Sequence, residues 1–366
     1  MHDVYLTRLA ALRARMAETG TDLVALGPSS HLKWLAGVDP HGDERPILLL
    51  VSQGYAGFLM PALNADAVRQ ATDLPFHPWA DDVGPDAALA DALSACDVAP
   101  GVQVALDETM RADFALLLLD ALDSPRRSFT EATVGQLRAR KDAAEVALLT
   151  ASARLNDAAV EAAVAGLKSG MTELDVAQEI NAVYRAHGAQ KAFTIVGFGA
   201  NGAFPHHHTS SAVLQPGMAV LIDTGCRLDG YPSDMTRSFA FGARPDGYAE
   251  VRATVEAAVQ AAIEVARPGV RARDVDRAAR QVIEDAGYGP YFVHRLGHGM
   301  GIDVHEPPWI TASSDTILEE GHVFSIEPGI YLPGRFGVRL EDIVVLRADG
   351  PEVLSGLPRL LPDRAA

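Results

Sequence analysis

Apolar residues follow a helical spacing at the start of the chain and form short unbroken runs further along. Leu6, Leu9, Leu12 and Met16 lie three or four positions apart with arginines between them, which predicts an amphipathic helix over 3–19. The same patterns predict further helices over 64–71 and 111–122 and buried strands over 22–26 and 46–51. Helices that alternate with short buried strands indicate a small α/β domain, which we expect to span residues 1–130.

A second, larger domain is expected over 135–366. The chain has 366 residues, which is more than one core of ordinary size accommodates. A linker is predicted near Pro125, and Asp142 followed by Glu145 has the spacing of a capping box. We therefore expect a long helix that starts at this box and runs to about residue 166.

The larger domain repeats itself with an offset of 99 residues. A long helix, a glycine-containing turn, a second helix, a strand and a hairpin recur in the same order. The residues Gly170, Asp175, Val176, Val183 and Gly188 recur as Gly269, Asp274, Val275, Val282 and Gly287. This pattern predicts two pseudo-equivalent halves, and a functional site at the junction between them.

Composition and charge narrow the classes of partner. The chain is 48% hydrophobic and 22% charged, which is typical of a globular protein, and its formal net charge is −17. That charge argues against nucleic acid or an anionic membrane as a partner, because both bind basic surfaces. No apolar run reaches the roughly 18 residues of a membrane helix. Two cysteines, Cys96 and Cys226, are too few for a disulfide framework, which favours a cytoplasmic location.

The first candidate hairpin brings two aspartates together. Apolar strands on either side of a turn near Asp229 carry Asp223 and Asp234. If the turn is centred between Leu228 and Asp229, the two aspartates face each other directly, with Cβ atoms about 5 Å apart. Two ionised carboxylates at this distance repel, so either one is protonated or a cation lies between them.

The second candidate hairpin repeats this arrangement with glutamates. A turn centred on Gly334 places Glu327 directly opposite Glu341, again within apolar strands. Either pair alone is equally compatible with surface carboxylates. Two such pairs in one domain favour a buried site for cations.

Histidines add to this oxygen-rich set. His298 stands between Gly297 and Gly299, which would allow the backbone to approach a cation closely. Four carboxylates and one imidazole suit a pair of Mn²⁺ or similar ions better than a structural thiolate zinc site, and such pairs catalyse hydrolysis. His206 and His305 are 99 residues apart and would donate to a substrate carbonyl or oxyanion from equivalent places in the two halves.

Five segments in this order resemble the creatinase/prolidase/methionine aminopeptidase family. They read IDTG (222–225), SDMTR (233–237), GHGMG (297–301), EPGIY (327–331) and VRLED (338–342). The resemblance covers 135–366 and implies the pita-bread fold, an α/β (α+β) architecture with pseudo-twofold halves. The first 130 residues resemble the smaller creatinase-type N-terminal domain, which plain methionine aminopeptidases lack. The likeness is therefore to bacterial Xaa-Pro dipeptidases (prolidases).

The resemblance implies a dinuclear metal site. The five ligands of the family correspond to Asp223, Asp234, His298, Glu327 and Glu341. Asp223 would bind one metal, His298 and Glu327 the other, and the remaining two carboxylates would bridge both. The expected cofactors are two divalent ions, Mn²⁺ first, with Co²⁺ or Zn²⁺ as alternatives.

The resemblance also implies catalytic roles for four residues. Glu327 would move protons, His206 and His305 would polarise the scissile carbonyl, and Arg339 would orient a ligand carboxylate. The expected reaction is hydrolysis of the Xaa-Pro bond in dipeptides or short peptides. The alternatives are an Xaa-Pro aminopeptidase acting on longer peptides and a non-catalytic binding protein on the same fold. Further candidates for substrate contact are Tyr231, His207, Arg335, Trp34 and Asp39.

The segment from His31 to Pro46 is predicted to be a loop. It carries Trp34, Asp39 and His41 among few apolar neighbours. One interpretation is an ordinary exposed loop. The other is a lid that covers the active site of a second subunit in a homodimer, which the resemblance to prolidases implies.

Overall fold

The computed structural model describes residues 2–366. The chain divides into two compact units, Met1–Arg138 and Ala139–Ala366. Each unit has its own hydrophobic core. In the described part of the chain, no helix combines the length and the apolar character needed to cross a membrane.

The unit Met1–Arg138 is built on a six-stranded mixed sheet. Its strands are β1 (Leu23–Leu26), β2 (Leu48–Val51), β3 (Ala56–Pro61), β4 (Phe76–Trp79), β5 (Gln103–Leu106) and β6 (Arg126–Phe129). They are ordered β4-β3-β2-β1-β5-β6, and β1 lies antiparallel to β2 and parallel to β5. Both β1 and β2 are buried along their whole length, which explains their unbroken apolar sequences.

Helices accompany this sheet. They are α1 (His2–Thr19), α2 (Ser30–Ala36), α3 (Ala62–Val68), α4 (Asp86–Cys96) and α5 (Ala112–Asp120), and α6 (Val134–Ala139) ends at the boundary with the next unit. The helices predicted over 3–19, 64–71 and 111–122 are confirmed as α1, α3 and α5. Helix α3 begins and ends two to three residues earlier than predicted, and α5 is shorter at both ends.

Two local expectations for this unit are wrong. The first half of the predicted loop is the helix α2, because the Ser29 side chain accepts from the Leu32 N–H and Gly37 ends the helix in the left-handed conformation. Trp34 on α2 is buried, not surrounded by solvent. The predicted linker near Pro125 leads directly into β6, which pairs in parallel with β5.

The unit Ala139–Ala366 holds four long helices and eleven strands. The helices are α7 (Ala143–Gly166), α8 (Glu173–Ala186), α9 (Tyr248–Val265) and α10 (Ala272–Asp285). The strands are β7 (Gln190–Phe198), β8 (Met218–Leu228), β9 (Tyr231–Pro232), β10 (Met235–Phe241), β11 (Gly297–Gly299), β12 (Glu306–Ile310), β13 (Val323–Ile326), β14 (Gly329–Leu332), β15 (Phe336–Arg339), β16 (Asp342–Arg347) and β17 (Gly350–Val353). These strands form three sheets. The first has the order β10-β8-β7, with β9 paired to β8. The second has the order β12-β11-β13-β16-β17, and the third is the pair β14-β15. The predicted capping box at Asp142 and Glu145 is confirmed at the start of α7.

The internal repeat is confirmed in the backbone. The helices α8 and α10 begin 99 residues apart and end 99 residues apart. Gly170 and Gly269, which precede them, have φ values of 91° and 92°. Each of their N–H groups donates to a leucine carbonyl further along its own half, that of Leu214 at 3.0 Å and that of Leu318 at 2.8 Å. Only glycine adopts this left-handed conformation without strain, so both glycines are required where they recur.

The first hairpin has a different register from the one predicted. Its turn is centred between Asp229 and Gly230, whose φ values of 48° and 86° define a tight two-residue connection. Asp223 on β8 therefore faces Thr236 on β10, and the expected direct opposition to Asp234 is wrong. The two aspartates are diagonal neighbours, which still lie within side-chain reach of each other.

The second hairpin has the predicted register. Ser325 pairs with Ile343, and Ile330 pairs with Val338, as a turn centred on Gly334 requires. Glu327 and Glu341 lie opposite each other in the break between these two ladders, outside the strands themselves. Neither glutamate belongs to a regular strand, but the paired strands on either side fix the positions of both residues.

Candidate metal centre

A cavity of about 560 Å³ in the unit Ala139–Ala366 contains the candidate chemistry. Strands from both halves of the repeat contribute to its walls. The predicted residues that line it are Asp223, Asp234, His298, Glu327, Glu341, His206, His305 and Arg339. Apolar walls are formed by Phe193, Ile195 and Val304. The structure thus brings together the five predicted metal ligands and the four predicted catalytic residues.

Carboxylates crowd one end of this cavity. Oxygen atoms of Asp223, Asp234 and Glu341 lie within 4.8 Å of one another, and so do ligand atoms of His298, Glu327 and Glu341. The two groups share Glu341, so they describe one continuous site. Each group could hold a cation, which the separate residues could not.

Burial and mutual repulsion disturb the acid–base behaviour of these carboxyl groups. Burial, followed by the charges of Glu341 and Asp223, raises the pKa of Asp234 well above its ordinary value. Burial and the charge of Glu327 do the same to the pKa of Glu341. Burial raises the pKa of Glu327 to about 7. Without cations, this cluster would therefore hold protons that free carboxylates release.

His298 has the tautomer of a metal ligand. Its Nδ1–H donates to the carbonyl of Gly299 at 3.1 Å, so Nε2 carries the free lone pair. Nε2 lies 3.3 Å from Glu327 Oε1 and 3.7 Å from Asp234 Oδ2. Burial, followed by the nearby His305, lowers the pKa of His298 to about 3, so the ring is neutral at pH 7.

The flanking glycines have a structural reason. A Cβ on Gly297 would meet the carbonyl oxygen of Ser325, and one on Gly299 would meet that of Pro307. Only glycine therefore lets β11 lie between its neighbouring strands. The glycines thus make room for neighbouring strands, and the expected role in close approach to a cation stays a prediction.

One atom of the cluster is suited to a cation in particular. Asp223 Oδ1 is buried and has no hydrogen-bond partner among the described residues, while Oδ2 accepts from Arg339 at 2.5 Å. An unpaired carboxylate oxygen in the interior is costly, and a metal ion would satisfy it. The donor set of four carboxylates and one neutral imidazole fits hard or borderline divalent ions.

Arg339 and its partners fix the geometry of the acids. Arg339 is 3% exposed and donates to Tyr331 Oη at 2.7 Å and to Thr236 Oγ1 at 2.9 Å. Thr236 in turn donates to Glu341 Oε2 at 2.6 Å. Thr236 pairs with Asp223 across the hairpin. Its hydroxyl connects Glu341 to Arg339, and Arg339 in turn contacts Asp223.

The two repeat-related histidines line the cavity from different loops. The ring centroids of His305 and His298 are 4.0 Å apart. His206 follows Pro205, whose carbonyl accepts from Arg339 at 3.4 Å. Both imidazoles are thus available to a ligand in the cavity.

Three predicted substrate-contacting residues of this unit do not line the cavity. Tyr231 donates to Glu145 at 2.9 Å. His207 Nε2 forms a hydrogen bond with the buried Glu173 at 2.8 Å. Arg335 donates to the backbone carbonyl of Asp246. Each of these side chains has a partner elsewhere in the unit.

The other two candidates belong to the unit Met1–Arg138. The guanidinium of Arg8 lies 4.5 Å from the ring centroid of Trp34. Asp39 is exposed and accepts from Lys33 at 2.9 Å. A further group of possible ligands in this unit, His31, Asp107 and Glu108, is already held by hydrogen bonds from Ser29, Thr130 and Arg138.

Sequence reasoning missed the apolar walls and two basic side chains of the cavity, His294 and Arg295. His294 Nε2 accepts from Tyr331 at 2.9 Å, and burial lowers its pKa to about 4. Both residues come three or four positions before His298, just ahead of β11. A histidine–arginine pair one residue ahead of the Gly297–Gly299 segment was the signal available in the sequence.

Comparisons with known proteins agree with this geometry. The models described as "Metallopeptidase family M24" and "Creatinase/Prolidase N-terminal domain" match residues 147–348 and 8–140. The "Probable dipeptidase PepE" of Mycobacterium tuberculosis is 37% identical over 98% of this chain and 96% of the relative. The Xaa-Pro dipeptidase of Lactobacillus delbrueckii subsp. lactis is 34% identical over 93% and 95%. The crystal structure of dipeptidase PepE from Mycobacterium ulcerans has a TM-score of 0.94 and 36% identity, covering 100% of this chain and 99% of that one.

The expected fold, a pita-bread unit preceded by a creatinase-type unit, is therefore confirmed. The expected class of enzyme is confirmed with it, since the family and the buried ligand cluster agree. The chain belongs to metallopeptidase family M24 and carries the creatinase/prolidase N-terminal domain.

Proposed function

We propose that this metallopeptidase hydrolyses the Xaa-Pro bond of dipeptides. The observation that carries the proposal is the buried cluster of four carboxylates and one neutral imidazole in a cavity of about 560 Å³. Relatives that share the whole chain length bear the names dipeptidase and Xaa-Pro dipeptidase. The cavity volume suits a short peptide, and its acidic end suits a free amino terminus.

We propose Asp223, Asp234, His298, Glu327 and Glu341 as the ligands of two divalent ions, Mn²⁺ first and Co²⁺ or Zn²⁺ as alternatives. When bound, such a pair supplies the positive charge that makes water nucleophilic near neutral pH and stabilises negative charge on the reacting carbonyl. Arg339 keeps Asp223 and, through Thr236, Glu341 in place for this role.

Proton transfer falls to Glu327. Its Oε1 accepts from Ser325 Oγ at 3.0 Å, which fixes the carboxylate beside His298. Glu327 takes the proton of the attacking water and passes it to the leaving proline nitrogen. His206 and His305 donate to the oxygen of the scissile carbonyl as negative charge develops there.

Selection of proline follows from the bond that is broken. Proline at the second position makes a tertiary amide with no N–H, so an enzyme needs no acceptor for that group. Phe193, Ile195 and Val304 offer apolar surface for the proline ring. The free amine of the first residue is attracted by the carboxylate cluster.

Location and assembly complete the proposal. Cys96 and Cys226 are buried and form no disulfide. Free cysteines are typical of the reducing cytoplasm, where we place this enzyme. We also propose a homodimer in which residues near Asp39 contribute to a partner's site. Light scattering at the assay concentration tests this, and a fully active monomer would exclude it.

A panel of peptides tests the activity. Purified protein is stripped with a chelator, reloaded with Mn²⁺, Co²⁺ or Zn²⁺, and assayed on Ala-Pro, Ala-Pro-Ala and Ala-Ala. We expect metal-dependent hydrolysis with the highest kcat/KM on Ala-Pro. A higher value on Ala-Pro-Ala would assign an Xaa-Pro aminopeptidase. A protein that binds none of these ions and cleaves none of these peptides would be a binding protein on this fold.

A further inference from the structure

Two arginines line the cavity, and their charges are balanced differently. The guanidinium of Arg339 is buried and donates to several neighbours, Asp223 among them. Arg295 is half-buried, and its guanidinium lies over the ring of Trp309, 4.4 Å from the centroid. This guanidinium makes no hydrogen bond or ion pair with any residue from 2 to 366. Arg295 is therefore a cavity cation whose hydrogen-bond donors are unused.

The position of Arg295 follows from the strand register. Trp309 on β12 pairs with His298 on β11. Directly paired residues of antiparallel strands point to the same face, with Cα atoms about 5 Å apart. The guanidinium that covers Trp309 consequently lies beside His298, on the side of the cavity where the ligand cluster begins.

The charges of the cavity match those of a dipeptide. Four carboxylates and a cation lie in one space, and a dipeptide carries an amine and a carboxylate no more than about 7 Å apart. Arg295 lines the same cavity as the carboxylates and is near enough to Glu327 for that charge to act on it. A dipeptide whose amine binds at the carboxylates can therefore place its other end against Arg295. Longer peptides place an uncharged amide there instead.

The two basic side chains that the sequence offered as substrate contacts already have partners elsewhere in the unit. His207 is paired with Glu173, and Arg335 is bound to the carbonyl of Asp246. Burial lowers the pKa of Arg295, and the charge of Glu327 only partly offsets this effect. A bound carboxylate would supply the missing partner through two parallel hydrogen bonds, the geometry that a guanidinium favours.

We infer that Arg295 binds the C-terminal carboxylate of the substrate and thereby restricts the enzyme to dipeptides. The inference rests on the proposed function, because it assigns a role at the same site. The other carboxylate that a short peptide offers is an acidic side chain on its first residue. The experiment separates these two sources.

The kinetic test compares Ala-Pro with Ala-Pro amide, which lacks the terminal charge. Arg295→Met keeps an apolar stem on Trp309 and removes the cation. We expect kcat/KM for Ala-Pro to fall roughly tenfold to a hundredfold, mainly through KM, with little change for the amide. Arg295→Lys should recover part of the loss. Arg277→Met, on an exposed position of α10, is the matched control and should behave as the parent.

Two results would overturn the inference. One is an equal loss on Ala-Pro and on its amide. The other is a loss confined to Asp-Pro, which would assign Arg295 to the first side chain.

Binding of the product gives a readout that does not depend on turnover. Calorimetry should show that the parent protein binds proline at least roughly tenfold more tightly than prolinamide, and that Arg295→Met abolishes the difference. Equal affinities in the parent would refute carboxylate binding. If the parent binds proline through Arg295 but cleaves no Xaa-Pro peptide, the proposed function fails while carboxylate binding by Arg295 stands.

Discussion

Four carboxylates in one buried cluster carry a large electrostatic cost. Asp223, Asp234, Glu327 and Glu341 share one cavity wall, and Arg339 is the cation that directly contacts an acid of the set. Buried like charges repel strongly because little solvent screens them. Such a cluster is a poor way to stabilise a fold, but it is a good way to bind multivalent cations. The cost in stability is therefore an argument for function.

Asp234→Asn tests this argument at the level of one residue. The substitution keeps the shape of the side chain and removes one negative charge from a proposed bridging ligand. Loss of a residue that merely supports a metal ligand typically lowers metal affinity or activity by about 10–100-fold. For a ligand itself, we therefore expect kcat/KM to fall by more than roughly a hundredfold. In chelator, the melting temperature of the variant should equal or exceed that of the parent, since one repulsion is gone.

Metal content and activity are measured together in this variant. Asp349→Asn, in an exposed turn, provides the matched control and should leave both unchanged. Near-normal turnover of metal-loaded Asp234→Asn would sink the assignment of this aspartate as a ligand.

The loop that carries His206 is anchored by the first residue of a helix. Glu173 at the start of α8 is fully buried, and one oxygen accepts from Phe198 N–H and Asn201 at 2.9 and 2.8 Å. The other oxygen accepts from His207 and from the N–H and hydroxyl of Ser210 at 2.7–2.8 Å. The repeat-related position, Ala272, has no such group. The loop of His305 is instead held by the buried ion pair of Glu306 with Lys141 at 2.8 Å.

Glu173→Gln should therefore lower activity by acting on His206. An amide in either orientation points its NH₂ at groups that are themselves donors, so the loop loses its anchor. We expect kcat to fall about tenfold while metal content is kept, and Glu179→Gln on the exposed face of α8 to have no effect. In a His206→Ala background the Glu173 substitution should add nothing, because residues that act as one unit are non-additive. Fully additive losses would refute the coupling.

A buried histidine makes the strand leading to Glu327 sensitive to pH. His322 is 3% exposed and bridges to Arg140, and its Nδ1 accepts from the Glu319 N–H at 3.2 Å. Burial, followed by the charges of Lys141 and Arg140, lowers the pKa of His322 to about 4. The depressed pKa contributes stability that is fully present above the ordinary value of about 6.5 and is lost as pH falls towards 4.

We therefore expect His322→Asn to unfold with a weaker pH dependence than the parent between pH 6.5 and 4. The asparagine oxygen can still accept from Glu319 but does not titrate. The difference between the two denaturation curves should amount to about 3 kcal/mol across this interval. Measuring urea midpoints at four pH values checks it, and parallel curves would contradict the burial argument.

The hairpins illustrate what the sequence can predict at this scale. The turn at Gly334 was placed correctly, so the pairing around Glu327 and Glu341 followed. In the first hairpin, the predicted centre was one position early, because the preference of an Asp-Gly pair for both central positions of a tight turn was not applied. A shift of one position in the turn centre moves every partner by two residues. Asp223 and Asp234 still lie close together, because diagonal neighbours on paired strands point to the same face of the sheet.

At the scale of the chain, the sequence predicted contiguous features better than distant contacts. The repeat was visible because glycines with positive φ tolerate little substitution and recur at a fixed offset. The proposed ligands lie in short motifs, so each could be named. The roles of Arg295 and Glu173 depend on Trp309 and on residues 198–210, which no local pattern connects to them. Helix α2 was missed because its bounds depend on two caps, the side chain of Ser29 and the left-handed Gly37, which were not recognised in the sequence.

Removal of metal should affect the two units differently. All five proposed ligands belong to the unit Ala139–Ala366, whereas the possible ligands His31, Asp107 and Glu108 in the other unit are held by hydrogen bonds. Metals that bind only the folded site stabilise it by mass action, and without them the carboxylates of the two hairpins repel. Chelation should therefore speed amide hydrogen exchange in β8, β10, β13 and β16 and leave β1, β2 and β5 unchanged. Exchange measured by mass spectrometry, with metal loss verified on the same sample, checks this. Equal acceleration in both units, or no change in the hairpins after complete removal, would show that the cluster does not depend on cations.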